Sequence, residues 1–190
     1  MLVTNLKMKK LIYLSTVMVL GLTMNAQKIV PLENKYGYKI INRNEEIYFK
    51  DVNNILGKFV GTWKGNNGNK KYEFRVLKNT TTFETMKFDR LLVRYIITDL
   101  NGSVIDNTSY FPDSSPYIMK GRYYHNDGYY LIHVAKGGNC AQSGQILLYV
   151  DGNNMDVLFH ENAEFVDLMK CPTPINEYFQ QNTIYKLIKQ

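Results

Sequence analysis

Three histidines (His125, His133, His160) and two cysteines (Cys140, Cys171) are the side chains of this 190-residue sequence best suited to hold a metal ion or attack a substrate. Their spacing argues against both. If Asp127-Gly128 forms a two-residue turn, His133 stands opposite Arg122 and His125 opposite Tyr130, which puts the two imidazoles on opposite faces of a sheet. His160 lies beside Glu161 with no second His or Cys at ligand spacing. A Cys, His and acid set can be assembled from Cys140, His133 and several carboxylates, but nothing in their spacing fixes a geometry. Glu161 and Glu164 read as solvated carboxylates, and Gly137-Gly138 as loop flexibility. No Gly-Xaa-Ser-Xaa-Gly motif or glycine-rich phosphate loop occurs. The sequence therefore assigns no catalytic residue, metal ligand or cofactor site, and the protein is not expected to be an enzyme.

The start of the chain carries a different signal. Lys9 and Lys10 precede an apolar run over residues 11–22, and Met24-Asn25-Ala26 ends on a small residue before Gln27, so residues 1–26 read as a signal peptide. The run is shorter than the roughly 20 residues a membrane-spanning helix needs, so no anchor is expected after cleavage and the protein is expected in the periplasm or outside the cell. The whole chain carries 23 basic and 17 acidic residues, a formal charge of +6. Cleavage would remove Lys7, Lys9 and Lys10 and no acid, leaving 20 against 17, or +3. Lys70-Lys71 is then the only adjacent basic pair, which excludes a stripe able to track a nucleic-acid backbone. Two cysteines in an exported chain favour a Cys140–Cys171 disulfide, whose loop of about 30 residues would stabilise by roughly 3–4 kcal/mol in the entropy model. Two buried free thiols are the alternative.

A β fold must position these groups. Residues 27–50 are polar, with short extended segments at 28–30, 38–41 and 47–49, and read as an arm lying on a domain formed by 51–190. That domain begins with Asp51 capping a helical turn to Leu56, ended by Gly57, and a first strand on which Phe59, Gly61 and Trp63 share one face. Period-2 alternation follows in Tyr72, Phe74, Val76 and again in Met155, Val157, Phe159. Turn signals recur at 65–69, Asn101-Gly102, Asp127-Gly128 and 151–154. Further strands are expected at 91–97, 104–110, 117–125, 129–135, 145–150 and 183–189, with 164–169 apolar and 176–181 at most a short helix. The sum is an all-β antiparallel meander of eight to ten strands. Closing into a barrel removes its edges, and a two-sheet sandwich is the other arrangement that would bury its apolar faces.

Gly61-Thr62-Trp63 on a first strand, after the turn from Asp51 to Leu56, resembles the Gly-Xaa-Trp signature of lipocalins and other calycins. In that family the Trp packs at the closed end of the barrel under an arginine from the last strand; here residues 183–189 offer Lys186 and Lys189. A likeness covering nearly the whole chain lies in the leader ending Asn25-Ala26-Gln27, Ile47-Tyr48-Phe49-Lys50-Asp51-Val52-Asn53-Asn54, Phe59-Val60-Gly61-Thr62-Trp63 and the Cys after Gly137-Gly138-Asn139. These are similar to a family of short exported Bacteroidota proteins, a domain of unknown function. The resemblance implies export and a β fold and supplies no activity.

Two uses fit. An interior lined by Phe59, Tyr72, Phe74, Met155, Val157 and Phe159 would bind a small apolar or aromatic-compatible ligand. A solid barrel would instead present a face built on Tyr123-Tyr124 and Tyr129-Tyr130 to a protein or glycan of the cell envelope. Either is expected of a monomer.

Overall fold

The computed structural model describes residues 27–42, 44–134, 142–161 and 178–190. The leader, Cys140, Cys171 and the apolar stretch at 164–169 lie outside the described residues, and with them the disulfide expectation.

Among the described residues eleven strands form one sheet: β1 (Lys28–Pro31), β2 (Ile47–Lys50), β3 (Gly61–Asn67), β4 (Lys70–Phe83), β5 (Met86–Asp99), β6 (Val104–Asn107), β7 (Met119–His125), β8 (Gly128–Val134), β9 (Ser143–Asp151), β10 (Asn154–Glu161) and β11 (Ile184–Lys189). The hydrogen-bonded order β5-β4-β3-β11-β10-β9-β8-β7 returns to β5, so eight antiparallel strands close a barrel; a sandwich is thereby ruled out. Turn chemistry sets the register. Gly68 (φ 56°) and Gly152 (φ 56°) supply left-handed positions in the β3–β4 and β9–β10 hairpins, and Gly102 (φ 92°) does so after β5. The β7–β8 turn is Asn126-Asp127 (φ 48° and 61°) rather than Asp127-Gly128, so His125 opposes Gly128 and Tyr123 opposes Tyr130. A shift of two residues keeps parity, and His125 still points out while His133 points in.

Several elements differ from expectation. The helical turn falls on Gly57–Phe59, a short 3-10 helix, so Phe59 precedes the first strand instead of lying on it. Asp51 does cap, accepting from Ile55 N–H (2.7 Å) and Leu56 N–H (3.3 Å), but Asn54 then turns left-handed (φ 53°) and helical geometry starts only at the glycine expected to end it. Residues 38–41 form no strand. β4 and β5 run 14 residues each, through the polar stretch 79–90 and a Glu84-Thr85 turn in which Glu84 takes φ 53° without a glycine. Residues 28–50 dock through β1 and β2, which pair parallel to each other, while β2 pairs parallel to β5.

The closed end of the barrel holds the hairpin turns after β4, β7 and β9, and the 3-10 helix inserts Phe59 there beneath Trp63. Trp63 donates from Nε1 to Phe59 O (2.8 Å), and Lys189 Nζ lies 5.2 Å from the centre of the indole ring, so a lysine of the last strand covers the Trp. Two seams complete the cylinder. β11 joins β3 through two register pairs, with Gln190 N–H adding a bond to Thr62 O (2.9 Å), and β5 joins β7 through Leu92–Lys120 and Val93–Met119. β5 can spare so little for β7 because β2 occupies its first residues and β6 its last. Where β7 departs, Tyr129 reaches across to accept from Leu91 N–H (3.2 Å), and Gly121 makes room, since a Cβ there would lie 2.3 Å from the Tyr129 hydroxyl. Tyr129→Phe, which orphans that N–H, is expected to cost about 1–3 kcal/mol in urea denaturation. An unchanged midpoint would show that the hydroxyl is dispensable to the seam.

Candidate functional site

Inward positions of the barrel strands alternate as the sheet pleat requires, and almost all carry aromatic or branched side chains. The six residues expected to line an interior all point inward and are buried: Phe59 and Met155 toward the closed end, Val157 midway, and Tyr72, Phe74 and Phe159 toward the opposite, upper end. The upper three meet around a ring that sequence reasoning did not identify. Phe179, from the segment just before β11, enters the barrel and is fully buried, with centroids 5.8 Å from Tyr72, 6.0 Å from Phe74, 5.8 Å from Tyr95, 5.1 Å from His133, 5.9 Å from Phe159 and 5.7 Å from Tyr185. The one signal for it was an adjacent Tyr178-Phe179 pair inside a polar run.

His133 is the polar member of this chamber. It exposes none of its surface, and among the described residues neither Nδ1 nor Nε2 has a hydrogen-bond partner. Burial pulls its pKa down to about 4, with Asp106 acting weakly the other way, so the imidazole is neutral at ordinary pH. Its ring stands 5.6 Å from that of Tyr95, whose hydroxyl donates to the buried Asp106 carboxylate (2.8 Å). Burial first, and Asp106 second, drive the Tyr95 pKa upward, as burial and Tyr185 do for Tyr72; both phenols stay protonated.

Phe179 is held by its backbone. Gln142 accepts from Phe179 N–H (2.9 Å) and donates to Phe179 O (2.5 Å), Tyr72 Oη donates to Tyr178 O (3.1 Å), and Gln180 N–H donates to Tyr185 Oη (2.6 Å).

Outside the barrel, the paired tyrosines split between faces. Tyr129 is in the core and Tyr124 packs against it, its hydroxyl donating to Asp127 (2.9 Å) and its pKa pushed up to about 12 by burial and that carboxylate. Tyr123 and Tyr130 stack on the exterior (4.6 Å, 24°), and Tyr36, from the arm and 62% exposed, lies over Tyr123 (5.0 Å) and His125 (4.7 Å). A shallow groove of about 550 Å³ on the β3–β5 exterior contains Arg75 and Arg94, but Arg75 pairs with Glu73 (2.6 Å) and Arg94 pins the next loop through Phe111 O and Asp113. Gly61 and Trp63 sit at the closed end, with Lys189 Cε where a Gly61 side chain would be. Among the described residues no three His, Cys, Asp or Glu side chains gather at metal-binding distance, and no helix is long and apolar enough to cross a membrane.

A model described as a family of unknown function (DUF6705) matches residues 8–168. No curated protein matches the chain, and no solved structure matches it.

Proposed function

Since the chain belongs to a family of unknown function with no activity to carry across, we propose that it is an exported binding protein that holds a small, largely apolar ligand in the upper half of its barrel. One observation carries this reading: an imidazole with both nitrogens unpartnered among the described residues is kept in the wall of an aromatic chamber. An unsatisfied buried polar group costs about 1–3 kcal/mol, so a core selected for stability alone would place a carbon side chain there. Export is supported by Lys9, Lys10, the apolar run at 11–22 and the small residue Ala26 before Gln27. Native mass spectrometry of the protein purified from its own host is expected to show a mass above that of the polypeptide which unfolding releases. The bare polypeptide mass, recovered under mild conditions, would refute the proposal.

A second reading rests on the exterior stack of Tyr36, His125, Tyr123 and Tyr130, which suits an envelope protein or glycan partner. In-cell cross-linking is expected to trap a partner at Tyr36 if this reading holds; cross-linking that returns monomer alone removes it.

A further inference from the structure

Phe179 belongs to no barrel strand, yet its ring fills the space between β4, β5, β8, β10 and β11. Its withdrawal would break no ladder hydrogen bond of the barrel. Four bonds between side chains and backbone help to seat it, two with Gln142 and one each with Tyr72 and Tyr185. Gln142, the residue before β9, is itself buried, so its amide is committed to this one segment.

We infer that Phe179 sits where a ligand sits, and that the ligand is a neutral molecule with one planar ring bearing a hydroxyl or N–H group, which displaces the 178–180 segment and hydrogen-bonds to His133. This rests on the ligand-binding reading above. The ring is specified by the walls: Tyr72, Phe74, Tyr95, Phe159 and Tyr185 meet Phe179 largely edge-on or tilted, the geometry aromatic rings prefer. The polar group is specified by His133, which as a neutral imidazole offers one donor and one acceptor and uses neither. Neutrality is specified by the described residues around the chamber, among which the one carboxylate, Asp106, is turned to the Tyr95 hydroxyl and to Asn107 N–H (2.8 Å).

Phenol and toluene separate these requirements in calorimetric titrations of four proteins: wild type, Phe179→Ala, Phe179→Ala with His133→Leu, and Leu91→Ala, whose cavity opens toward the other end. Phe179→Ala is expected to bind phenol at least tenfold tighter than wild type and at least tenfold tighter than it binds toluene. Adding His133→Leu should abolish the preference for phenol, and Leu91→Ala should show none. Gln142→Leu keeps the ring and cuts two of the bonds that seat it; it should tighten phenol binding several-fold and speed amide exchange at 178–180, a check that stands if Phe179→Ala fails to fold. Equal binding of phenol and toluene by Phe179→Ala, unaffected by His133→Leu, would mark a plain cavity and overturn the inference. Wild type binding phenol as tightly as Phe179→Ala would overturn it too, while leaving a ligand-binding protein whose site is elsewhere. No binding by any variant, with a bare mass in the native spectrum, would remove both readings.

Discussion

Trp63→Ala is expected to lower the unfolding free energy by about 4 kcal/mol, followed by far-ultraviolet circular dichroism in urea because the variant has lost the only indole. Against a typical total of roughly 5–15 kcal/mol that is enough to leave much of the chain unfolded. Three losses combine. The largest is the cavity left by a side chain with no exposed surface, at the point where the 3-10 helix, β3 and the end of β11 converge. The second is the Nε1 bond that fixes Phe59 O, and with it the plug at the closed end. The third is the ring beneath the Lys189 ammonium, on a seam with few register pairs of its own. Trp63→Phe keeps most of the packing and should cost less than half as much. A loss below about 1 kcal/mol for the alanine variant would mean that the closed end is not where stability concentrates.

His133→Leu is expected to act in the opposite direction. Leucine has closely similar volume and no polar atom to orphan, so the variant should gain about 1–3 kcal/mol at pH 7. It should also lose an acid sensitivity. The unfolded chain protonates this histidine near its ordinary value of 6.5, while the folded chain resists until about 4, so between those values the unfolded state binds more protons and wild-type stability rises with pH. The contribution is complete above 6.5, is lost as pH falls through that window, and amounts to about 3 kcal/mol. The groups that bear on the imidazole are the Tyr95 phenol, which stays neutral, and the Asp106 carboxylate behind it, whose effect is the smaller. Calorimetric melts at pH 7 and pH 4.5 should therefore converge for the variant more than for wild type. A destabilised variant with unchanged acid sensitivity would show that His133 is paired in solution.

Together the two variants set what the barrel requires against what the chamber retains. A residue whose removal strengthens the fold is explained by something other than folding.

Much of the barrel was legible because alternation and turns are local. Tyr72, Phe74, Val76, Met155, Val157 and Phe159 face inward as their spacing dictates, and Asn101-Gly102 turns where a left-handed glycine is needed. Closure was legible from the number of strands and the need to hide edges. The misreadings occur where tertiary context overrides the local signal. The 79–90 stretch is polar yet lies in two long strands because Thr80 and Tyr48 hydroxyls and Asp51 N–H all bond Asp89, which ties β4, β5 and β2 together over the closed end. The turn after His125 falls one residue before Asp127-Gly128 because Asn126 and Asp127 tolerate positive φ without a glycine. The chamber was half legible: three of its walls came from alternation, but Phe179, Gln142 and Asp106 lie in segments whose neighbours only the closed barrel determines.

The two seams give the cylinder an unexpected mechanics. Strands β3 to β5 form one shell and β7 to β11 another, each stitched by long ladders, whereas each shell-to-shell joint relies on two register pairs, with the Gln190–Thr62 backbone bond at one and the Tyr129–Leu91 bond at the other. Under thermal agitation the molecule should therefore part like a hinged locket. Amide exchange at Val93 and Gln190 should outpace that at the middle of β4 or β9, and opening along this line would lay bare the aromatic lining without unfolding either half.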